Sequence, residues 1–194
     1  IWYHRTTGIW QTVWLEAVSD ARLARVKFQP DLDRGDVIAE FETTRAAAGG
    51  TLDVEISFKG TTVVADRIAI REPYAKRSYH LVNRNIFRTA VHHDGWTWTP
   101  ENPNLFDVKL TLRQDGRAVD EVETYFGMRK IHTERGMVYL NNKPYYQKLV
   151  LDQGYWPDGL LTAPDDEDFK RDIELAKAMG FNGCRKHQKV EDPR

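Results

Sequence analysis

Trp96-Thr97-Trp98-Thr99-Pro100-Glu101-Asn102-Pro103-Asn104-Leu105-Phe106 and, after a strand pair, Phe126-Gly127-Met128-Arg129-Lys130-Ile131 form the stretch on which the fold turns. Before Ile131 the chain reads as short alternating strands. After Leu149 it reads as the opening of a strand–helix–strand unit. Two architectures therefore meet here, and the chemistry is expected on one side of the join.

Upstream, seven runs alternate in hydropathy: Leu23 to Gln29, Asp36 to Thr43, Leu52 to Phe58, Val63 to Ile70, Ser78 to Arg88, Leu105 to Arg113 and Ala118 to Met128. In the first, Leu23, Arg25 and Lys27 oppose Ala24, Val26 and Phe28. In the last, Val119, Glu121, Glu123 and Tyr125 oppose Val122, Thr124 and Phe126. Turn signals such as Gly49-Gly50, Lys59-Gly60 and Asp115-Gly116 separate the runs. Short strands punctuated every ~8–12 residues predict an immunoglobulin-like β-sandwich. An earlier run, Gly8 to Val18, has apolar residues on both faces and is expected to be the last strand of a preceding sheet.

Downstream, Met137 to Leu140 and Pro144 to Tyr146 flank a turn at Asn141-Asn142-Lys143. Leu149-Val150-Leu151 is a continuous apolar run, as in a strand covered on both faces. Asp165 to Met179 is the one good helix. Asp165 caps it, Asp166, Glu167 and Asp168 suit the positive end of its dipole, and Gly180 ends it. Its buried stripe is expected to be Phe169, Ile173, Ala176 and Met179, with Leu175 beside it. Phe181 to Arg185 reads as a second strand, parallel to the first. The fold class is thus mainly β, a sandwich followed by one βαβ unit.

The chain has 194 residues, enough for one to two domains with a core of its own. Its formal charge of −1 provides no footprint for nucleic acid, and no apolar run approaches the ~18 residues of a membrane helix. Neither is expected as a partner. A single cysteine, Cys184, excludes an internal disulfide framework and is expected to be a small buried residue. Both ends are expected to be cut from something longer.

In parallel α/β units ligands meet the carboxyl ends of the strands. The candidates are Asp152, Gln153, Tyr155 and Trp156 after the first strand, and Arg185, Lys186, His187 and Gln188 after the second. Asp152, Trp156, Arg185 and His187 suit a sugar: carboxylate, guanidinium and imidazole bond hydroxyls, and the indole covers an apolar sugar face. The commoner fate of such residues is structural, with Trp156 packed under a loop and Arg185 paired with Asp152. His92-His93 lacks metal-ligand spacing and reads as a solvated pair. Trp96 and Trp98 beside Pro100 and Pro103 offer a binding platform or, more commonly, a cover for the end of the core. Glu40, Glu42, Glu121 and Glu123 read as solvent faces. No cofactor or metal is expected, and the sequence carries no phosphate loop and no Gly-x-Ser-x-Gly elbow.

Four segments, in this order, resemble the family-2 glycoside hydrolases, the β-galactosidase and β-glucuronidase relatives. Tyr3 to Leu15 resembles the final strand of their jelly-roll sugar-binding domain. Trp98-Thr99-Pro100-Glu101-Asn102-Pro103-Asn104-Leu105-Phe106 resembles their Trp-x-Pro-x-x-Pro-x-Leu-Tyr signature. Phe126-Gly127-Met128-Arg129 matches the Phe-Gly-x-Arg that closes their immunoglobulin-like domain. Asp172 to Arg185 is similar to the first helix and second strand of their catalytic (β/α)8 barrel.

The resemblance implies residues 1–19 as the last strand of a jelly-roll domain, 20–131 as an immunoglobulin-like sandwich and 132–194 as the start of a TIM barrel. It implies hydrolysis of O-glycosidic bonds of β-linked sugars by two glutamates, which in retaining enzymes stand ~5 Å apart. Both are expected beyond Arg194, so the fragment is expected to be inactive alone, and neither Glu167 nor Glu191 replaces them. Arg185 matches the family's arginine at the second strand's end. Leu151-Asp152-Gln153-Gly154-Tyr155-Trp156 stands where β-galactosidases carry Asn-Arg-His-Glu-His-His, and Trp2 where they carry a cation-binding aspartate, so the resemblance does not extend to galactose specificity or that cation. A non-catalytic carbohydrate-binding or scaffolding module is the competing expectation; an adhesion-type sandwich fits the βαβ unit poorly. The tail of the chain is expected to be ordered only if it folds back on the sandwich or pairs with another copy, a homo-oligomer.

Overall fold

The computed structural model describes residues 7–81 and 95–191. Trp2, the Tyr3-His4-Arg5-Thr6 part of the first motif, the His92-His93 pair and the expected strand beyond Leu81 lie outside the described residues. Contacts divide the chain into two units. One holds residues 17–145; the other joins the segment up to Glu16 with the chain from Tyr146 onward.

In the first unit, among the described residues, the sandwich is built of seven strands: β1 (Leu23–Asp31), β2 (Asp36–Thr43), β3 (Thr51–Phe58), β4 (Thr61–Ala69), β5 (Tyr74–His80), β6 (Phe106–Gln114) and β7 (Arg117–Phe126). They pair antiparallel in two sheets, ordered β1-β2-β5 and β4-β3-β6-β7. Alternation puts Val37, Ala39 and Phe41 of β2, Leu52, Val54 and Ile56 of β3, and Phe106, Val108 and Leu110 of β6 into one buried cluster. The fifth strand starts at Tyr74, ahead of the expected Ser78. It is an edge strand whose only inward apolar residues are Ala75 and Tyr79, so its charged Lys76 and Arg77 hide the period.

Three edge strands each carry one extra residue. Register shifts insert Ala24 in β1, Val63 in β4 and Val119 in β7. Each bulge changes which residues face inward. Val63 and Val64 are therefore both buried, and Leu23 and Val119 pack against the core, opposite to the faces expected from strict alternation.

A line of rings joins the sheets. Phe41 meets Phe28 edge-on, Phe28 stacks on Phe126 at 5.1 Å, Phe126 on Phe106 at 5.1 Å, and Phe106 lies 4.8 Å from Phe58. Such contacts add to the apolar area that each ring buries. Side chains close both edges of the sandwich. The Tyr79 hydroxyl donates to Asp66 across β5 and β4, and burial together with that bond pushes the phenol's pKa up. The Leu23 N–H donates to the Asp120 carboxylate across β1 and β7, at 2.8 Å.

At the join Trp96 is buried, as expected of a core cover, and so is Met128. Trp98 N–H donates to the Met128 carbonyl at 2.9 Å. A Cβ on Gly127 would stand 3.0 Å from the Trp98 Cβ, so glycine lets the tryptophan lie against the backbone, while Arg129 covers the indole at 4.8 Å. Beyond it a small sheet orders β10 (Lys143–Pro144), β9 (Met137–Leu140) and β8 (Ile131–Glu134). Asn141 and Asn142 both take positive φ, the mark of a type I′ hairpin turn. Buried Asn141 accepts from the Lys130 N–H at 3.0 Å and donates to the Trp98 carbonyl at 2.9 Å, tying the hairpin to the tryptophan.

The second unit contains β11 (Leu149–Asp152), α1 (Asp166–Ala178) and β12 (Gly183–Lys186), with β11 and β12 parallel. Local chemistry makes the helix. Asp165 accepts from the Asp168 N–H at 2.9 Å, and Gly180 at φ +87° allows a Schellman close in which the Phe181 and Gly180 N–H groups reach Ala176 and Lys177. The expected stripe is not buried: Ile173 and Met179 are exposed, and no residue of α1 is buried. Leu149, Leu151 and Cys184 are likewise exposed, because among the described residues a two-stranded sheet covers neither of its faces. Residues 8–18 form no strand, since none among the described residues pairs with them, and Ile9, Val13 and Leu15 are exposed.

Two outcomes follow from the sandwich. Phe126→Ala removes the ring that links the sheets and is expected to cost about 3–5 kcal/mol in urea unfolding. Asp53 is bonded by Arg67 at 3.0 Å and Arg113 at 2.8 Å, and mainly the Arg67 bond holds its carboxyl below the ordinary 3.8. A depressed folded pKa contributes stability that is complete above the unfolded value and lost as pH falls through the folded one. The wild-type urea midpoint should therefore drop below about pH 4, and Asp53→Asn should be weaker at pH 7 with a flatter acid limb.

Candidate functional site

The register of the parallel pair sets what meets at its carboxyl end. Leu151 stands beside Arg185 and Asp152 beside Lys186. The Asp152 carbonyl accepts the His187 N–H at 2.9 Å, so the two strand ends stay joined one residue past the ladder. His187 Nδ1 lies 2.9 Å from the Gln153 side-chain oxygen, which fixes the imidazole against the first loop.

Asp152 pairs with Lys186, and Lys186 with Glu191 at 2.6 Å. Burial acts to raise the Asp152 carboxyl, but the Lys186 bond and the Gly154 N–H outweigh it, and its pKa lies below the ordinary value. For Lys186 burial acts to lower the ammonium, and its bonds to Asp152 and Glu191 prevail, leaving its pKa raised. At neutral pH Asp152 is thus an anion and Lys186 a cation, and neither is poised to exchange protons.

Lys189 completes the cluster. Its side chain is 3% exposed, its ammonium donates to the Gly154 carbonyl at 2.7 Å and meets Glu191 at 3.1 Å, and it lies 5.0 Å over the Trp10 ring. Gly154 has φ +68°, and a Cβ there would stand 2.5 Å from the Lys189 Cδ. The left-handed φ favours glycine, and any side chain there would displace Lys189 from this position. Two lysines and two carboxylates therefore lock the loop after β11 to the loop after β12.

Of the four sequence candidates, Asp152 and His187 are brought together. Trp156 meets Phe169 of α1 in a T-shaped contact at 5.6 Å, a helix partner and not the loop cover expected. Arg185 is exposed and does not pair with Asp152; Lys186 takes that place. The reason is the pleat: adjacent strand residues point to opposite faces, and the register sets Lys186 beside Asp152. Lys189, Glu191 and Trp10 were not legible as site residues. The one signal was a lysine following the strand end with a glycine, Gly154, in the facing loop. Among the described residues, no group of His, Cys, Asp or Glu is arranged to hold a metal ion.

Comparison with known proteins follows the same division. The model of the family described as "Glycosyl hydrolases family 2" matches residues 21–129. A β-galactosidase of Vibrio vulnificus (strain YJ016) is 30% identical over 97% of this chain, and that match takes up 18% of the relative. The chain thus spans about a fifth of the length of the curated relatives it matches. Among solved structures, the β-glucuronidase of Ruminococcus gnavus superposes with a TM-score of 0.68 at 15% identity, covering 90% of this chain and 27% of that one. The β-galacturonidase of Eisenbergiella tayi gives 0.66 at 22% identity, covering 90% and 30%. Those likenesses show the fold. The matched family model spans more than half of the sequence, and it includes the Trp98 and Phe126-Gly127-Met128-Arg129 motifs that the structure packs together. The chain belongs to the glycosyl hydrolases family 2.

Proposed function

We propose that this chain is an internal piece of a retaining glycosidase acting on β-linked sugars. Residues 20–131 are its immunoglobulin-like middle domain, 1–19 the end of a preceding jelly-roll domain, whose other strands would have to be present for this segment to pair, and 132–194 the opening of its catalytic (β/α)8 barrel. The observation that carries this is the parallel β11–α1–β12 unit with Asp152 and His187 side by side at its carboxyl end, in a chain of this family. The names of its relatives, β-galactosidase, β-glucuronidase and β-galacturonidase, agree on a β-glycoside substrate and differ in the sugar.

In this arrangement the chain contributes recognition. Asp152, His187 and Arg185 lie at the strand ends where a sugar would sit, with Trp156 in the adjoining loop. In this reading His187, held against Gln153, and the exposed Arg185 would bond hydroxyls or a carboxylate. Asp152, already committed to Lys186 and the Gly154 N–H, holds the rim in shape and offers its remaining acceptor capacity. The acid/base and nucleophile come from later strands. The exposed faces of Leu149, Leu151 and Ile173 are those the remaining barrel elements would cover.

Assay on nitrophenyl β-glycosides tests this. The chain alone should give no turnover above background, and turnover by it would overturn the proposal. In the whole glycosidase, Arg185→Ala and His187→Ala should each lower kcat/KM about ten- to hundredfold, the worth of one charged hydrogen bond to the sugar.

A further inference from the structure

From Thr7 to Asp20 every residue is exposed except Trp10 and Gln11. These two are half-buried although they belong to no strand, and the groups that cover them follow the two parallel strands. The Thr162 hydroxyl donates to the Trp10 carbonyl at 2.7 Å, the Gln11 side-chain amide donates to the Val190 carbonyl at 3.2 Å, and the Lys189 ammonium stands 5.0 Å from the centre of the Trp10 ring. One bond thus reaches the chain between β11 and α1, and the other contacts reach the chain after β12.

Lys189 is the costly residue in this arrangement. A lysine side chain only 3% exposed has lost its hydration and must replace it with fixed partners. Glu191 is shared, because the same carboxylate also takes Lys186 at 2.6 Å. The face of the Trp10 indole supplies a further electrostatic contact to the ammonium. What the buried charge grips is the Gly154 carbonyl, at 2.7 Å.

Gly154 closes a tight turn. Its N–H donates to the Asp152 carboxylate at 2.7 Å, and between them Gln153 presents the side-chain oxygen that meets His187 Nδ1 at 2.9 Å. Lys186 holds the Asp152 end of this turn and Lys189 the Gly154 end. The orientation of the imidazole therefore depends on a turn whose second support is seated against an indole from the segment ahead of the sandwich. We propose that Lys189 is a positioning residue of the strand-end rim: seated by Trp10, it holds the Asp152–Gly154 turn and, through Gln153, sets His187 for the sugar. The segment carrying Trp10 and Gln11 is then part of the frame of the site. This deepens the glycosidase reading above and rests on it.

Lys189→Met keeps the apolar stem and deletes the charge. In the whole glycosidase it should raise KM for a nitrophenyl β-glycoside about three- to tenfold with kcat nearly unchanged. In a protein already carrying His187→Ala, the same change should cost less than about a further twofold in kcat/KM, because the group it acts through is gone. Trp10→Leu should follow Lys189→Met in both readings, and Trp10→Phe, which keeps a ring against the ammonium, should stay close to wild type. A purely structural role gives a different result: a partly unfolded enzyme loses kcat at constant KM, and its loss multiplies with that of His187→Ala. Either finding overturns the proposal. Should Lys189→Met not fold, the Trp10 variants are read by the same criteria. A whole protein inactive on every glycoside sinks the glycosidase reading, and the positioning is then decided on this chain by nitrogen NMR. Lys189→Met should shift the signals of the His187 ring nitrogens, and unmoved signals overturn it.

Discussion

The stacking of Phe126 between Phe28 and Phe106 is the contact on which the sandwich depends, because one of those rings comes from each sheet. The residues after it extend the same constraint. Gly127 has no side chain, so Trp98 lies on its backbone; Met128 is buried and pairs with Thr97; Arg129 covers the indole; Lys130 pairs with Asp33, donates its N–H to the Asn141 side chain and accepts the Asn141 N–H at its carbonyl. Five consecutive residues thus hold the two sheets, the tryptophan and the following hairpin. The motif reads as a family signature because each position answers a separate steric or hydrogen-bonding demand.

The sandwich was legible because its central strands are regular. β2 and β3 alternate in burial throughout and β6 does so as far as Leu110, and their inward residues could be named from period two alone. The edges were not. An extra residue in β1, β4 and β7 shifts the side-chain phase, and nothing in Ala24, Val63 or Val119 marks it as the inserted one. Val119 was grouped with Glu121 and Glu123, yet it packs on the core. Bulges of this kind twist an edge away from further pairing. The feature that protects the sheet is therefore also the one that hides its register.

The βαβ unit teaches the reverse. Its elements were legible although, among the described residues, many of its apolar side chains are exposed. The helix is specified by short-range chemistry, an aspartate cap, three acidic residues in the first turn and a glycine close, none of which needs a neighbour. Its apolar stripe is a statement about a partner, and among the described residues that partner is not there. Exposure of Ile173, Leu149 and Cys184 is thus a consequence of which surfaces this chain contains.

At the strand ends the types of residue were legible and their pairings were not. Asp152 and His187 could be placed at one rim because parallel strands end together. That Asp152 meets Lys186 and not Arg185 depends on a register of one residue, which alternation cannot supply for strands of four residues. The consequence is functional. Had Arg185 been consumed by Asp152, the rim would present a neutral pair; with Lys186 paired to Asp152 and Glu191, the guanidinium is left exposed. A buried lysine, Lys189, then fixes both loops from below, so the groups facing solvent sit on a frame already satisfied in charge. In the proposed reading a frame of that kind would hold the strand-end groups in place for a sugar, since its own charges are already paired.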